Sequence, residues 1–331
     1  MKELISFDPL GENLKGSRGG HAPSCVTIGN FDGVHLGHQK LFQHVITYAQ
    51  EHQLQATCVT FEPLPQAFFT GAGVESRIFT AQYKKELIAA QGLAQICVQP
   101  FEESFSQLTP EAFVKDFLVG FLNVKAVFVG ENFCFGKGRV AGVTQLVQLA
   151  AEEGIYAHSV PLEHDVDGIK ISSTRVRQCL RLGDVETAAV LLGRPYRYFS
   201  PVIHGMQIGR EIGFPTLNLQ PNLQMLPKEG VYAGWVELDH RPGRTYPAAI
   251  CVGSRPTFVE DGAVAVEAYL LEGASEPGSL PSYGDCVALV WGCFLRDNRR
   301  FASPAALVEQ IKKDVHRAKI WLAQANVPTS V

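Results

Sequence analysis

At 331 residues the chain is long enough to bury two hydrophobic cores. Hydrophobic residues make up 46% and charged residues 19%, which excludes a disordered polar chain and predicts a well-packed globular protein. The formal net charge of -4 argues against a general nucleic-acid binder, because phosphate contacts need a basic surface, but leaves room for small anionic ligands in local pockets.

The first half of the chain alternates β-branched runs with helical patterns. The runs are "SCVTIGNF", "ATCVTFEP", "QICVQPF", "KAVFVGENF" and "IYAHSVPL". Between them lie the helical patterns "GHQKLFQHVITYAQ", "KKELIAAQG", "PEAFVKDFLVGFL" and "TQLVQLAAEEG". This alternation is typical of a parallel sheet covered by helices, so an α/β, Rossmann-like first domain is predicted.

From about Arg194 the pattern changes to strands and turns. The strand runs are "FSPVIHGMQIG", "GVYAGWVELD", "YPAAICVGS", "VAVEAYLLE" and "CVALVWGCFL". A terminal helix follows, with Ser303 as N-cap and Pro304 at its first position. We predict an antiparallel barrel or sandwich with a docked C-terminal helix. The boundary is placed near "LLGRPYRYFS", which divides the chain into residues 1–190 and 191–331.

Cysteine spacing and hydropathy indicate the compartment. The eight cysteines are scattered through apolar runs without CxxC spacing, which favours buried thiols over a disulfide framework or a zinc site. No apolar run reaches membrane-spanning length, and the N-terminus lacks the uninterrupted apolar region of a signal peptide. A cytoplasmic location is therefore expected.

The stretch "CVTIGNFDGVHLGHQKLF", residues 25–42, points to phosphate chemistry. A strand that ends at Ile28 and a helix from Gly37 would place the intervening turn at the carboxyl edge of the sheet, where backbone N–H groups attract phosphate. His35 and His38 could donate hydrogen bonds to phosphoryl oxygens. An isolated HxxH is weak evidence, however, because histidines often cap helices, and no third zinc ligand stands at a readable spacing.

A second phosphate element is the stretch "GIKISSTRVRQCL". It offers hydroxyls and helix capping at Ser172, Ser173 and Thr174, and positive charge at Arg175 and Arg177. An ordinary capped helix with solvated arginines explains these residues equally well.

The motifs together resemble a known family. The first stretch is similar to the GxFDxxHxGH motif of the nucleotidyltransferase superfamily. With "TFEPLP", "VGENFCFGKGRVAG" and "ISSTRVR", and then "HGMQIGREIGFPTLNL", "GVYAGWV", "GSRPTF", "VEAYLLE", "YG" and "FASPAALVEQIKKD", the chain resembles the prokaryotic bifunctional riboflavin kinase/FAD synthetase family nearly from end to end. The resemblance implies phosphorylation of riboflavin to FMN and adenylylation of FMN to FAD, with ATP as co-substrate.

For the first domain, the resemblance implies that His35 and His38 steady the ATP phosphates. The other implied ATP- or phosphate-binding residues are Gly29, Phe31, Asp32, Ser172, Ser173, Thr174, Arg175 and Arg177. Phe61, Pro63 and Asn132 would line the flavin or nucleotide pocket. No general base is needed, because the FMN phosphate is already an anionic nucleophile, but two crowded anions make Mg²⁺ an expected cofactor.

For the second domain, the resemblance makes Glu267 the base that accepts the proton of the ribityl 5′-hydroxyl. Alternation in "VAVEAYLL" sets Glu267 on the face opposite Val266, although a solvated strand carboxylate would show the same pattern. Thr216 and Asn218 would supply oxygen ligands to Mg²⁺; turn residues after Pro215 are the alternative. The remaining implied residues are a glycine flap of Gly205, Gly209 and Gly213, and flavin-binding Tyr283.

Three departures from the family pattern are local. "PTLN" replaces the usual PTAN, and "PLP" at 63–65 replaces PHP. Glu272 and Gly273 stand where Asp-Phe is common, so the loop from Glu272 to Ser282 predicts weaker riboflavin binding by the barrel.

The alternatives to a bifunctional enzyme are an FMN adenylyltransferase with a degenerate barrel and a non-catalytic flavin-binding regulator. The expected partners are riboflavin, FMN, FAD, ATP, ADP and pyrophosphate, with no nucleic acid or membrane, for a monomer or weak homo-oligomer.

Overall fold

The computed structural model describes residues 2–4, 21–70, 77–205, 208–238, 245–254, 264–271 and 281–327. The described chain forms two compact units, residues 1–74 with 81–172 and residues 75–80 with 173–331. The predicted boundary near residue 190 stays a prediction. Within the described ranges, no helix is both long and apolar enough to cross a bilayer.

The first unit is a six-stranded parallel sheet with helices on its faces. Its strands are β1 (Lys2–Leu4), β2 (Ser24–Ile28), β3 (Gln55–Glu62), β4 (Gln95–Pro100), β5 (Val124–Gly130) and β6 (Tyr156–Val160). Its helices are α1 (Leu36–Glu51), α2 (Pro65–Thr70), α3 (Ala81–Ala90), α4 (Glu103–Ser106), α5 (Pro110–Ala112) and α6 (Val143–Glu152), with a 3₁₀ turn at Lys137–Arg139. The Rossmann-like prediction is confirmed, although β1 had no clear sequence pattern.

Strand order places the functional edge of this sheet. The order is β1-β4-β3-β2-β5-β6, so the chain runs outward from β2 on one side and then returns to build β5 and β6 on the other. The reversal between β2 and β5 is the topological switch point, where open parallel sheets bind ligands beyond the carboxyl ends of their strands.

The helix predicted at "PEAFVKDFLVGFL" has an unexpected form. After α5 it continues as a π-helix over Phe113–Phe121. Phe113, Phe117 and Phe121 are four residues apart, and their rings follow one another at 5.4 and 6.0 Å. Phe113 and Phe117 belong to the buried core of this unit and Phe121 packs against it. The apolar spacing of the sequence does not distinguish a π-helix from an α-helix.

The second unit contains a closed antiparallel barrel, which resolves the choice between barrel and sandwich. Its strands are β7 (Arg197–Ile203), β8 (Thr216–Leu219), β9 (Gly230–Leu238), β10 (Thr245–Ser254), β11 (Val264–Leu270) and β12 (Cys286–Arg296), in the order β10-β11-β8-β7-β12-β9. Its helices are α7 (Ser173–Leu182), α8 (Val185–Leu192), α9 (Ile208–Glu211) and α10 (Pro304–Gln324). Apolar residues that pair across β10, β11 and β8 are buried: Ile250, Val252, Val266, Ala268 and Leu219.

The C-terminal helix docks on the outside of the barrel, as predicted. The Ser303 hydroxyl caps α10 by accepting the Ala306 N–H at 3.2 Å. Trp321 lies over Gly292, where an added Cβ would come within 2.4 Å of its ring. Asp314, 3% exposed, forms an ion pair with Arg296 at 2.6 Å. These contacts fix the helix over β9, β10 and β12.

A short segment that interrupts the sequence of the first unit also belongs to the second unit. Arg77 forms a parallel β-bridge with Gln224, and the Gln224 amide donates to the Ile78 carbonyl at 3.1 Å. Phe79 stacks on Tyr196 at 5.6 Å between ring centroids. This membership in the second unit was not predicted, because no local pattern distinguishes these residues from a linker.

Candidate active sites

The first candidate site lies at the switch point of the parallel sheet. The turn after β2 contains Gly29 to His35, Phe61 lies at the end of β3 with Pro63 directly after that strand, and Asn132 follows β5. Because β3, β2 and β5 are adjacent and parallel, their carboxyl ends meet at one edge. The structure therefore places the phosphate candidates of the turn after β2 and the flavin candidates of this unit at the same edge of the sheet.

The turn before α1 has an unusual backbone. Phe31, Gly33 and Val34 have φ values of 47°, 86° and 42°, and all three residues are buried. A non-glycine residue in this region costs on the order of 1–3 kcal/mol, most for a β-branched side chain such as Val34. The Val34 N–H donates to the Phe31 carbonyl at 3.1 Å, and the Val34 carbonyl accepts from the Gln39 amide at 2.9 Å. Such strain, held by packing, is typical of a functional turn.

The two histidines form a stacked pair at the N-terminus of α1. His35 is the N-cap: its Nδ1 accepts the His38 backbone N–H at 3.3 Å. The imidazole rings stack at 3.6 Å with an angle of 20°, and the Phe31 ring meets His38 edge-on at 5.1 Å. Because Nδ1 accepts, the neutral His35 ring carries its proton on Nε2, which can donate to a ligand. The capping role of His35 is therefore compatible with phosphate binding at the positive end of the helix.

The flavin candidates of the first unit differ in exposure. Phe61 is 8% exposed and contacts the rings of Phe101 and Phe105 at 5.7 and 5.8 Å. Pro63, after a cis peptide bond, and Asn132 are exposed. Phe61 thus packs in the interior beside the candidate site, while Pro63 and Asn132 are accessible to a ligand. Asp32, in the turn before α1, is only 3% exposed.

The serine and arginine candidates lie where the two compact units divide. Ser172 is the last residue of the first unit, and Ser173 begins α7 in the second. Thr174 is exposed, while Arg175 and Arg177 are half-buried on the first turns of that helix. Their grip on the phosphates that His35 and His38 bind stays a prediction.

The second candidate site lies on the outer face of the barrel. Glu267 on β11 pairs directly with Asn218 on β8, and Tyr269 pairs with Thr216. Paired residues of antiparallel strands have Cβ atoms about 4.5–5.5 Å apart, so the carboxylate and the amide are neighbours. Glu267 is half-buried on the face opposite buried Val266, as the alternation predicted. The turn interpretation of Thr216 and Asn218 is wrong, because both lie in β8.

Two of the three flap glycines pack against the candidate magnesium ligands. A Cβ on Gly205 would lie 2.3 Å from the Asn218 amide, and one on Gly209 would lie 2.4 Å from the Phe214 carbonyl and 3.4 Å from the Thr216 hydroxyl. Gly213 has a φ of 86°, which favours glycine. Close backbone approach therefore requires glycine at 205 and 209.

Substituting Gly205 by alanine should lower riboflavin phosphorylation by about 100-fold, because the added methyl group displaces the Asn218 amide by roughly 1 Å. The reaction to measure is FMN formation from riboflavin and ATP. Adenylylation of supplied FMN is the internal control and should stay at the parental rate. Parental FMN formation by a folded Gly205→Ala protein would contradict the importance of this contact.

Tyr283 has an aromatic partner that sequence reasoning did not single out. Its ring, 55% exposed, stacks on His204 at 3.6 Å with an angle of 28°. His204 directly precedes Gly205, so the stack adjoins the Asn218 contact. An exposed aromatic pair of this kind offers a surface to a planar ring such as a flavin. The signal in the sequence was the aromatic ring of His204 directly before the flap glycine Gly205.

Cys251 pairs with Glu267 on the side away from Asn218. Burial, and next the charge of the Glu267 carboxylate, raise the pKa of Cys251 to about 11. At neutral pH the thiol is therefore protonated and adds no charge beside the candidate base.

We expect iodoacetamide at pH 8 to alkylate Cys251 at least about 100-fold more slowly than Cys134, which is exposed, because only a thiolate reacts. The rate at Cys251 should rise about tenfold for each pH unit up to roughly pH 10. Peptide mass spectrometry after timed labelling measures both rates. Equal labelling at pH 8 would show that the thiol is not held protonated.

The altered loop from Glu272 to Ser282 lies outside the described residues except for its last two positions, so its predicted effect on riboflavin binding stays a prediction. Lys84 was not singled out, although it occupies the buried face of α3 with Leu87 and Ile88, three and four residues later. A lysine at an apolar position was the signal.

These features define a class: a two-unit transferase with a nucleotidyltransferase-type parallel sheet and a barrel that presents a carboxylate beside oxygen donors. Residues 18–175 match the family model for FAD synthetase, and residues 192–322 match that for riboflavin kinase. The bifunctional riboflavin kinase/FMN adenylyltransferase of Pseudomonas fluorescens is 33% identical over 95% of this chain and 98% of its own length. That of Escherichia coli K12 is 35% identical over 88% and 90%.

A solved structure supports the shared fold. A Streptococcus pneumoniae protein named as a macrolide-efflux protein superposes with a TM-score of 0.79 at 29% identity, over 90% of this chain and 95% of its own. The chain belongs to the bifunctional riboflavin kinase/FMN adenylyltransferase family. It is a transferase with both activities, and ATP is the co-substrate.

Proposed function

We propose that the barrel phosphorylates riboflavin through Glu267, and that the parallel-sheet unit adenylylates FMN through His35 and His38. The first reaction yields FMN and ADP, and the second yields FAD and pyrophosphate. The proposal includes a cytoplasmic location, a monomeric or weakly associating protein, and no nucleic-acid or membrane partner. The pairing of Glu267 with Asn218 in strand register is the observation that carries the kinase assignment.

In the kinase step the ribityl 5′-oxygen attacks the γ-phosphorus of ATP. Glu267 accepts the hydroxyl proton as the new P–O bond forms, and the bond from the γ-phosphorus to the bridging oxygen breaks to release ADP. Tyr283, with His204 behind it, binds the isoalloxazine ring by stacking. Gly205, Gly209 and Gly213 let the backbone approach the nucleotide.

The donor set of β8 fits magnesium. The Thr216 hydroxyl and the Asn218 amide are neutral oxygen donors on one strand face, and Mg²⁺ favours such oxygens together with substrate phosphates. Thr216 and Asn218 would hold the ion. Bound there, Mg²⁺ would neutralise charge on the transferring phosphate.

In the adenylyl step an oxygen of the FMN phosphate attacks the α-phosphorus of ATP. The bond between the α-phosphorus and the bridging oxygen to the β-phosphorus breaks, and pyrophosphate leaves with its electron pair. His35 and His38 donate hydrogen bonds to oxygens whose charge grows in the transition state. Further hydroxyl donors and positive charge come from Ser172, Ser173, Thr174, Arg175 and Arg177. Phe61, Pro63 and Asn132 line the flavin side of the site.

The direct test supplies purified protein with riboflavin, ATP and Mg²⁺ and separates the flavins by chromatography over time. FMN should appear first and FAD after it. Supplied FMN should give FAD without ADP formation, because that reaction releases pyrophosphate. An adenylyltransferase with a degenerate barrel would make FAD only from FMN, and a regulator would make neither product; family membership favours neither alternative.

A further inference from the structure

Lys84 is an ionisable side chain enclosed in the core of the first unit. It is 2% exposed and lies on α3 among residues that face the sheet. Removing an ammonium group from water is costly unless oxygens of the protein replace the lost hydration. Its surroundings must therefore supply hydrogen-bond acceptors.

Four oxygens surround the Lys84 ammonium. The Glu62 carboxylate lies at 3.0 Å, the Thr60 hydroxyl and the Phe61 carbonyl at 3.2 Å, and the Asn30 carbonyl at 3.5 Å. The Thr60 hydroxyl also donates to the Asn30 carbonyl at 3.1 Å. An ammonium group has three N–H donors, so every one of them has an acceptor within reach.

These acceptors belong to two segments that carry the site. Asn30 lies between Gly29 and Phe31, in the turn that leads to the histidine pair. Phe61 and Glu62 end β3 and lead to Pro63, on the flavin side. One buried charge thus ties the start of the phosphate turn (residues 29–35) to the start of the flavin turn (residues 61–65, beginning with the last two residues of β3), at neighbouring strands of the sheet.

We propose that Lys84 is a positioning residue for adenylyl transfer. It fixes the phosphate turn relative to the flavin turn, so that the FMN phosphate and the α-phosphorus of ATP meet in line. The inference rests on the proposed roles of these two turns. Each turn binds its own substrate, whereas Lys84 sets their relative position, on which the rate depends steeply.

The test replaces Lys84 by methionine, which keeps the length of the side chain and removes its charge and donors. Steady-state FAD formation from FMN and ATP gives kcat, and separate titrations with FMN and with ATP give the two dissociation constants. We expect kcat to fall about 100-fold while each dissociation constant changes less than about tenfold. A role in stability alone would lower the melting temperature and leave kcat of the folded protein unchanged.

Lys85→Met is the matched control, since it makes the same change at the next, half-buried position of α3. It should keep kcat within about twofold of the parental value. Riboflavin phosphorylation by Lys84→Met should also be parental, because that reaction belongs to the barrel. Should Lys84→Met fail to fold, Lys84→Gln, which keeps amide donors, decides by the same comparison.

The outcomes separate this inference from the assignment of the histidines. A folded Lys84→Met or Lys84→Gln protein with parental kcat overturns the positioning role. His38→Ala is measured alongside: parental FAD formation by that variant would overturn the histidine assignment whatever the Lys84 variants do. If His38→Ala and Lys84→Met both lose kcat, and Lys84→Met still binds FMN and ATP, the histidine assignment and the positioning role are both supported.

Discussion

Replacing His35 and His38 together with alanine should leave riboflavin conversion to FMN intact and nearly abolish FAD formation. The charge that develops on the ATP phosphates would lose two donors, each worth roughly 3 kcal/mol in a preorganised site, or about 10²–10³ in rate. The measurement is FAD production from supplied FMN and ATP, with FMN production from riboflavin recorded for the same protein.

The double substitution should also lower the stability of the fold. His35 is 6% exposed and caps α1, so its removal should also cost about 1 kcal/mol of folding free energy. His38→Ala alone keeps the cap and isolates one donor. His44→Ala, an exposed position on the same helix, is the matched control and should behave as the parent. Normal FAD formation by the folded double variant would show that the histidines do not bind the reacting phosphates.

Glu267→Gln should give the reverse result, with riboflavin left largely unphosphorylated and supplied FMN still converted to FAD. The glutamine amide keeps the size of the side chain but cannot accept the hydroxyl proton, and loss of a general base lowers a rate by about 10²–10⁴. FMN and FAD formed from each starting flavin are measured by chromatography.

Glu309→Gln, on the exposed side of α10, is the control for the loss of one carboxylate from the same unit. It should phosphorylate riboflavin at the parental rate. Thermal melts of both variants establish that the barrel is folded. If Glu267→Gln matches the parent in FMN formation, the carboxylate is not the base, whatever its position beside Asn218.

Local sequence determined most of the architecture. Strands and amphipathic helices follow from the period of apolar residues, which is why the parallel sheet, the strands of the second unit and the terminal helix were predictable. The Ser303 cap and the turn before α1 were also predictable, because both depend on contacts between residues within a few positions of each other. The strands β1 and β8 and the helices α2, α4, α8 and α9 were missed, because short segments carry too little periodic signal.

Only the tertiary structure decided which distant residues meet. Closure of the barrel sets Thr216 and Asn218 in register with Tyr269 and Glu267, about fifty positions later. The segment that could have been a turn is therefore a strand that presents oxygen donors. The order of the parallel strands likewise brings Lys84 to oxygens of two turns that precede it in the chain. Strand register and order arise from burial summed over a whole sheet, so no single segment encodes them.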